Sequence, residues 1–157
     1  MILRASDPMD MSLQRKREWT GQILQKARLA HLATASVDGR PHVIPVCFTL
    51  DTKKIYSPID EKPKRSHPLQ LRRVRNIKEN PKVSLVVDHY SEDWRKLCYV
   101  IVEGRARIIS RGRFHRRAVL LLRRKYRQYS IMKLKNRPII QINPTRVVAW
   151  RSSGKPA

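Results

Sequence analysis

The chain has 157 residues, 41% of them hydrophobic, and its mean hydropathy is -0.55. These values indicate one folded domain that is long enough to bury a core, and no apolar run approaches the roughly 20 residues that span a bilayer. Lys and Arg number 35 against 12 Asp and Glu, and the net charge of +23 favours nucleic acid or small polyanionic ligands as partners.

The domain is predicted to span residues 12–151. Residues 1–11 have no periodicity and are expected to form a flexible arm, and residues 152–157 are expected to form a flexible polar tail. The arm lacks the apolar core of a signal peptide, which favours a cytoplasmic location.

The two cysteines, Cys47 and Cys98, both lie in apolar strand-like runs. A free thiol packs there as a small hydrophobic group, so a packing role is predicted for each and no disulfide. Two distant thiols and five His residues without ligand spacing also predict no metal site.

The first predicted element is an amphipathic helix over residues 12–30, with Ser12 as its cap. Its apolar positions recur every four residues: Trp19, Ile23 and Ala27. Such spacing gives a helix with one buried face, and the outer face of this one is mostly basic.

Three strands joined by tight turns follow this helix. They are predicted at residues 31–35, at residues 42–50 and from Ile55 to Pro58. The Asp-Gly pair before the second strand suits a hairpin turn. The second strand is apolar on both faces, which suits a barrel interior or a dimer interface, and Pro45 within it indicates an edge that lacks a ladder bond. The three strands together predict an antiparallel meander.

The third strand runs into a turn that carries three cations, Lys62, Lys64 and Arg65. Glu61 alone does not balance them, so as a group they suit a doubly charged anion such as a phosphate. With Tyr56 and Ser57 just before the turn, the strand end is predicted to place a flat ring beside the backbone and to hold its phosphate tail. The alternative interpretation is a solvated run of surface charges.

A second helix is predicted after residue 66, with Ser66 as its cap, Pro68 in its first turn and its end at residues 80–81. Its amino end follows the cation turn, so its free amide groups favour the same anion. Strands at residues 82–89 and 97–109 follow. Gly104 within the longer strand predicts a bulge or bend of the kind that closes small barrels.

The third predicted helix, at residues 113–129, is strongly basic. Eight Lys or Arg and no acid occur between Arg111 and Arg127. Such a helix is able to lie along a phosphate backbone. A solvated outer face is the favoured interpretation, because no aromatic residues interleave the charges for base stacking. Two closing strands are predicted at residues 138–142 and 145–151.

Six or seven short strands in hairpin order with a few helices predict a mainly β fold with α elements. The expected architecture is an antiparallel, Greek-key-like split β-barrel with peripheral helices.

An ordered set of short motifs between about residues 20 and 150 carries a family resemblance. The set comprises AHLAT at 30–34, DGRPHVIPV at 38–46, YS at 56–57, KPKR at 62–65, LRR at 71–73, NIKENPKVSL at 76–85, VDHY at 87–90, EDW at 92–94 and VEGRA at 102–106. The sequence resembles the flavin-binding split β-barrel proteins related to pyridoxamine 5'-phosphate oxidase. Within them it is similar to the branch of deazaflavin (coenzyme F420)-dependent oxidoreductases.

The resemblance implies a homodimer with two cofactor sites between the subunits, and a hydride transfer between the reduced cofactor and a small substrate. F420 is favoured slightly over FMN, because the most similar branch uses it and its anionic tail suits a basic surface. The residues implied to bind the cofactor are Pro45, Val46, Cys47, Tyr56, Ser57, Pro58, Lys62, Lys64, Arg65, Trp94 and Trp150. Residues 97–101 depart from relatives that carry Trp and a basic residue there, which leaves the substrate pocket open.

No catalytic side chain is assigned from the sequence. A reaction run by a flavin needs placement, electrostatics and exclusion of water from the protein. Tyr56, His89 and Tyr99 are candidates for the balancing proton, although each residue also suits a structural role. The alternative to an enzyme is a protein that binds without catalysing, either a flavin or heme binder or a nucleic-acid-binding protein that uses the helix at 113–129.

Overall fold

The computed structural model describes residues 18–59, 68–132, 134–135 and 137–152. In this part of the chain seven strands form one antiparallel sheet: β1 (Ala30–Ala35), β2 (Pro41–Val46), β3 (Thr49–Asp51), β4 (Lys54–Pro58), β5 (Lys82–His89), β6 (Cys98–Ile109) and β7 (Ile139–Arg151). The helices are α1 (18–26), α2 (Arg72–Glu79), α3 (Arg113–Lys125) and α4 (Gln128–Ile131). None of the described helices is long and apolar enough to cross a bilayer.

The order of the strands forces the sheet to curl. The order is β2-β1-β5-β6-β7-β4-β3, so β2 and β3 are the two edge strands. Only Cys47 and Phe48 separate these two strands along the chain. Because a two-residue connection reaches only about 10 Å, the two edges lie close together and the sheet closes into a half-barrel. This architecture confirms the predicted split β-barrel with peripheral helices.

The two-residue crossover is held by Tyr126, at the carboxyl end of α3. The backbone N–H of Phe48 donates to the Tyr126 hydroxyl at 3.0 Å, and that hydroxyl lies 2.8 Å from the carbonyl oxygens of both Phe48 and Arg28. Burial raises the pKa of Tyr126 to about 12, so the phenol stays protonated and able to donate. The crossover therefore makes hydrogen bonds at a place where the ladder cannot supply them.

Lys125 covers the ring at the same crossover. Its Nζ lies 4.0 Å from the centroid of the Phe48 ring and 3.4 Å from the carbonyl oxygen of Leu24. Burial lowers the pKa of Lys125 to about 8, and the charge of Arg28 acts in the same direction. The ring, the ammonium group and the phenol thus join α1, α3 and the crossover in one packed unit.

Apolar residues pack on both sides of the sheet. The larger cluster combines the inner side with α1 and α2; its fully buried members include Leu32, Phe48, Ile55, Leu85, Val102 and Ile142. The smaller cluster lies outside the sheet, beneath α3 and α4, and contains Tyr56, Ala118, Leu122, Tyr126, Tyr129, Leu134 and Ile139. Alternate residues of β4 and β7 serve the two clusters, as the two-residue period of a strand requires.

The predicted strand at 42–50 is wrong as a single element, and so is the meander. The chain forms β2 up to Val46 and β3 from Thr49, on opposite edges of the sheet. The apolar alternation continues through the corner because Phe48 points into the barrel interior, so the pattern gives no sign of the crossing. The expectation that Pro45 marks an edge strand is confirmed.

Helix ends also differ from the predictions. The first helix ends near residue 26 rather than residue 30, because Ala30 already belongs to β1. The predicted cap Ser66 lies outside the described residues; Pro68–Gln70 forms a short 3-10 turn, and α2 begins after Leu71. The predicted helix at 113–129 breaks at Tyr126, whose backbone is extended so that its hydroxyl reaches the crossover.

The predicted bulge at Gly104 is confirmed, and it explains why β7 is one strand rather than two. The register of β6 and β7 shifts between Glu103 and Gly104, and Gly104 lies opposite Pro144. The lost ladder bond of the proline therefore falls where the pairing is already irregular. A Cβ on Gly104 would lie 2.5 Å from the backbone oxygen of Asn143, so a side chain there does not fit.

We expect Gly104→Ala to destabilise the protein, because the new methyl group forces β6 away from β7. The loss should be about 1–3 kcal/mol in free energy of unfolding, as for other overpacked sites. Urea unfolding measures it. Gly21→Ala in α1 is the matched control: its Cβ would meet nothing within 4 Å, so a gain of about 0.5–1 kcal/mol is expected there. Equal effects of the two substitutions would contradict the packing argument.

Tyr126→Phe should cost about 1–3 kcal/mol, because it leaves the buried Phe48 N–H without an acceptor. Tyr90→Phe, which removes only an exposed hydrogen bond to Glu92, should cost less than about 0.5 kcal/mol. Alkaline titration adds a second measurement. The pKa of Tyr126 rises from 10.0 in the unfolded chain to about 12 in the fold, so its stabilisation is present below pH 10 and is lost between pH 10 and 12. Tyr126→Phe should flatten the loss of stability in that window, and an unchanged slope would refute the assignment.

Candidate functional site

One outer face of the sheet carries a mainly apolar row and lies at the surface of the described chain. Residues that pair directly across antiparallel strands share a face. One such row crosses five strands: Pro45, His31, Val86, Ile101 and Val148. Each of these residues is half-buried or exposed, and Val43 in the next row is 58% exposed. We call this row, with Val43, the exposed face. A contiguous apolar surface of this kind marks a site of interaction.

A stacked aromatic pair borders the exposed face. Tyr99 and Trp150 are cross-strand partners, with ring centroids 5.6 Å apart and planes inclined by 23°. Trp150 is 45% exposed, so part of the indole ring is available to a ligand or to a second subunit. Of the candidates for the proton donor, Tyr99 is the one that this stack fixes in position.

The three residues at 45–47 point in different directions. Pro45 is exposed on the exposed face, whereas Val46 is 8% exposed and packs in the barrel interior. Cys47 is half-buried and packs against the cluster beneath α3. Of the three, only Pro45 thus lies on the exposed face.

The residues predicted at the end of β4 are all buried. Tyr56 is fully buried beneath α3, in the cluster outside the barrel, and burial raises the pKa of its phenol, with the charge of Asp51 adding to the effect. Ser57 is 1% exposed, and Pro58 is also buried. Neither the Tyr56 hydroxyl nor the Ser57 hydroxyl has a hydrogen-bond partner among the described residues. These two buried oxygens are unexplained by the packing of the chain alone.

The three predicted cations Lys62, Lys64 and Arg65 lie outside the described residues. The chain that follows them is described and is positive. Leu71 supplies no side-chain cap to α2, and Arg72 lies exposed in its first turn. The pKa of His42 is lowered, first by burial and then by the positive charges of Arg72 and Arg73. A positive potential therefore extends from the amino end of α2 to β2.

His89 and Trp94 lie near the hairpin that joins β5 and β6. His89 is exposed and pairs across the strands with Cys98. His89 and Cys98 line a cavity of about 670 Å³. The other lining residues are Trp19, Ile23, Arg95, Lys96, Leu97, Arg151 and Ser152. Trp94 is 68% exposed and contributes nothing to this cavity. The structure brings Pro45, Tyr99 and Trp150 to one outer side of the sheet. It buries Val46 in the barrel interior and Tyr56 beneath α3.

Val86, Ile101 and Val148 are residues of the exposed face that the sequence did not predict to be part of a site. All three occupy outward positions of strands whose inward positions are also apolar. The sequence did contain a signal for this face, because β5 and β6 carry apolar residues on both faces. In a strand with one solvated face, apolar and polar residues alternate.

The comparisons with known proteins agree with this architecture. Residues 19–151 match the family model described as pyridoxamine 5'-phosphate oxidase. The chain belongs to this family. None of the functionally curated proteins matches the chain. The match includes all seven strands and the exposed face.

Solved structures share the fold at low sequence identity. A conserved hypothetical protein from Mycobacterium tuberculosis has a TM-score of 0.72 and 19% identity over 100% of this chain and 95% of its own. The heme storage protein HutZ from Vibrio cholerae has a TM-score of 0.67 and 16% identity, over 91% of this chain and 99% of its own. General Stress Protein 26 from Bacillus anthracis has a TM-score of 0.62 and 21% identity, over 86% and 93%. At these identities the neighbours show the fold alone.

Proposed function

We propose that the protein is a homodimeric, cytoplasmic oxidoreductase that binds FMN or the deazaflavin F420 between its subunits and reduces or oxidises a small substrate. The observation that carries the proposal is the match of residues 19–151 to the pyridoxamine 5'-phosphate oxidase family. The exposed face, the stacked aromatic pair and the positive end of α2 support it.

The exposed face supports the dimer. Four of the five residues in the row, Pro45, Val86, Ile101 and Val148, are apolar, and such surface is costly to leave in water, at about 25 cal/mol for each Å². A second copy of the same chain offers the same row, and a twofold axis makes such a surface complementary to itself. The exposed Pro45 and the stacked Tyr99 and Trp150 would then lie at or beside the contact between subunits.

The residues present fit a phosphorylated planar cofactor. The Ser57 hydroxyl is a buried polar atom with no partner among the described residues, and it lies at the end of the strand that leads to the cations. Lys62, Lys64 and Arg65 would hold the phosphate, with Arg72 and the uncapped end of α2 adding positive potential. Pro45 of one subunit and Trp150 of the other would border the ring. When bound, such a cofactor supplies the hydride transfer.

The protein's own contribution is placement and control of water and protons. Packing of two exposed faces would exclude water from the ring, which strengthens every electrostatic contact within the site. Among the predicted proton donors, Tyr99 is held by its stack on Trp150 and stands nearest to the proposed contact. Tyr56 is enclosed beneath α3 with a raised pKa, which suits a structural role better.

A second candidate function is heme binding without catalysis. The cavity of about 670 Å³ places His89 and Cys98 side by side across β5 and β6, and Arg95, Lys96 and Arg151 surround them. An imidazole and a thiol are iron ligands, and cations suit the carboxylates of a porphyrin. HutZ, which shares the fold, is a heme storage protein.

Cofactor retention separates these candidates. The purified protein is incubated with FMN, F420 and heme together, and the retained compound is identified by mass spectrometry and absorption. Retention of FMN or F420 is expected. A Soret band that disappears in His89→Ala would instead favour the heme binder, and retention of none of the three would refute both.

Substitution of Lys62, Lys64 and Arg65 together by Ala should weaken binding of the retained flavin at least 100-fold. Each charge-assisted hydrogen bond contributes about 1.5–3 kcal/mol, and 1.4 kcal/mol is tenfold in affinity. Isothermal titration measures the loss. The control replaces Lys53, Lys78 and Lys82, which are exposed elsewhere and carry the same charge. Equal loss in both variants, or a large drop in melting temperature without ligand, would show that the three cations are not a phosphate site.

Ile101→Glu should convert the dimer to a monomer and abolish flavin retention, because it buries a carboxylate in the centre of the proposed contact. Analytical ultracentrifugation gives the mass. Leu120→Glu is the control, because Leu120 is an exposed apolar residue on α3, away from this row. A dimer that persists in Ile101→Glu would place the contact on another surface.

A further inference from the structure

The cations of α3 form a solvent-facing stripe. With about 3.6 residues per turn, five exposed arginines fall within roughly one third of the helix circumference, and a sixth follows at the helix end. We call them the arginine stripe: Arg113, Arg116, Arg117, Arg123, Arg124 and Arg127. The opposite side of α3 carries Ala118 and Leu122 and is buried against the sheet. The stripe is therefore fixed in orientation by the packing of the helix.

The stripe is scarcely neutralised by the rest of the described chain. Arg117 contacts Asp51 at 3.4 Å, and Arg123 donates to the carbonyl oxygen of Tyr129 at 3.2 Å. Arg116, Arg124 and Arg127 make no side-chain ion pair or hydrogen bond within the described ranges. The sequence adds to this imbalance, because residues 104–157 contain 16 Lys or Arg and no Asp or Glu. Repulsion among these charges is unfavourable until an external anion is bound.

The type of cation points to phosphate. Every exposed cation of the segment from Arg111 to Arg127 is an arginine, and the one lysine, Lys125, is turned onto the Phe48 ring. A guanidinium group binds a phosphate with two parallel hydrogen bonds, whereas an ammonium group acts as a point charge. The part of the stripe on α3, from Arg113 to Arg124, is about 16 Å long at about 1.5 Å per residue, which matches successive phosphates of a nucleic-acid strand.

Two observations favour a duplex backbone over other polyanions. The aromatic residue nearest the stripe, Phe114, is surrounded by the cations of Lys54, Arg107 and Arg113 at 4.7–5.9 Å, so its ring is not free to stack on unpaired bases. The apolar side of α3 is already packed against the sheet, which leaves Leu120 as the helix's one exposed large apolar residue within the described chain. Amphipathic helices that bind lipid bury an apolar face in the membrane, and α3 has none to offer.

We infer that the arginine stripe on α3 binds the phosphodiester backbone of double-stranded nucleic acid without reading its sequence. This binding uses the solvent-facing side of α3, whose other side packs over Tyr56 and Ile139. It is separate from the exposed face, which no described helix covers. Phosphate contacts of this kind position a protein on a duplex and carry no base specificity.

The test compares the whole protein with Arg116→Gln/Arg124→Gln/Arg127→Gln, which removes three arginines that have no side-chain ion pair or hydrogen bond to any described residue. Binding to a fluorescent duplex of mixed sequence is followed by anisotropy over a range of salt concentrations. Each lost phosphate contact should reduce the slope of log affinity against log salt by about 0.9, hence by about 2.7 in all, and affinity at physiological salt should fall more than about tenfold. The melting temperature and flavin retention should be unchanged.

The matched control, Arg75→Gln/Lys78→Gln/Arg105→Gln, removes the same charge from exposed positions on α2 and β6. It should change affinity less than about threefold, because charges beyond a Debye length are screened. Equal loss in both variants would mean that bulk charge binds the duplex, and unchanged binding in the α3 variant would mean that the stripe does not. Binding to phosphatidylserine vesicles in preference to the duplex would also overturn the inference.

Discussion

The fold depends on how the chain passes from one edge of its sheet to the other. Cys47 and Phe48 make this passage in two residues, and they leave a buried amide and carbonyl that no neighbouring strand can pair. The hydroxyl of Tyr126 satisfies both groups. The break in the helix after α3 follows from this requirement, because only an extended residue there brings the phenol to the crossover. The crossover also curls the sheet, and its hydrogen bond to Tyr126 fixes the position of α3 on the outer side of the sheet.

Closure of the sheet in turn divides its outer side into two areas of different chemistry. One area is covered by α3, which buries Tyr56 and presents arginine to the solvent. The other is not covered by any described helix, and it presents an apolar row bordered by the Tyr99 and Trp150 stack. The first area is positively charged, and the second is mainly apolar with an aromatic border. One domain thus offers two separate surfaces.

Much of the fold was predictable from local pattern, because strand alternation and turn chemistry act within a few residues. The inward positions Val83, Leu85 and Val87 and the bulge at Gly104 are examples. The crossover was not predictable, because its decisive partner, Tyr126, lies 78 residues away from Phe48. The alternation of apolar residues alone does not show which apolar face of a strand stays uncovered. The outward positions of Ile101 and Val148 were therefore not predicted, whereas Trp150 was named only through the family resemblance.

The joined edges also bear on how the protein avoids self-association through its backbone. An open sheet presents unpaired amides that template further strands and lead to fibrils. In this chain β2 carries Pro41 and Pro45, which have no amide hydrogen, and β3 is only three residues long. Neither edge strand offers a continuous row of hydrogen-bonding groups to an incoming strand. The two-residue crossover also keeps the two edge strands close together. The same connection that shapes the barrel therefore protects it from amyloid-like growth.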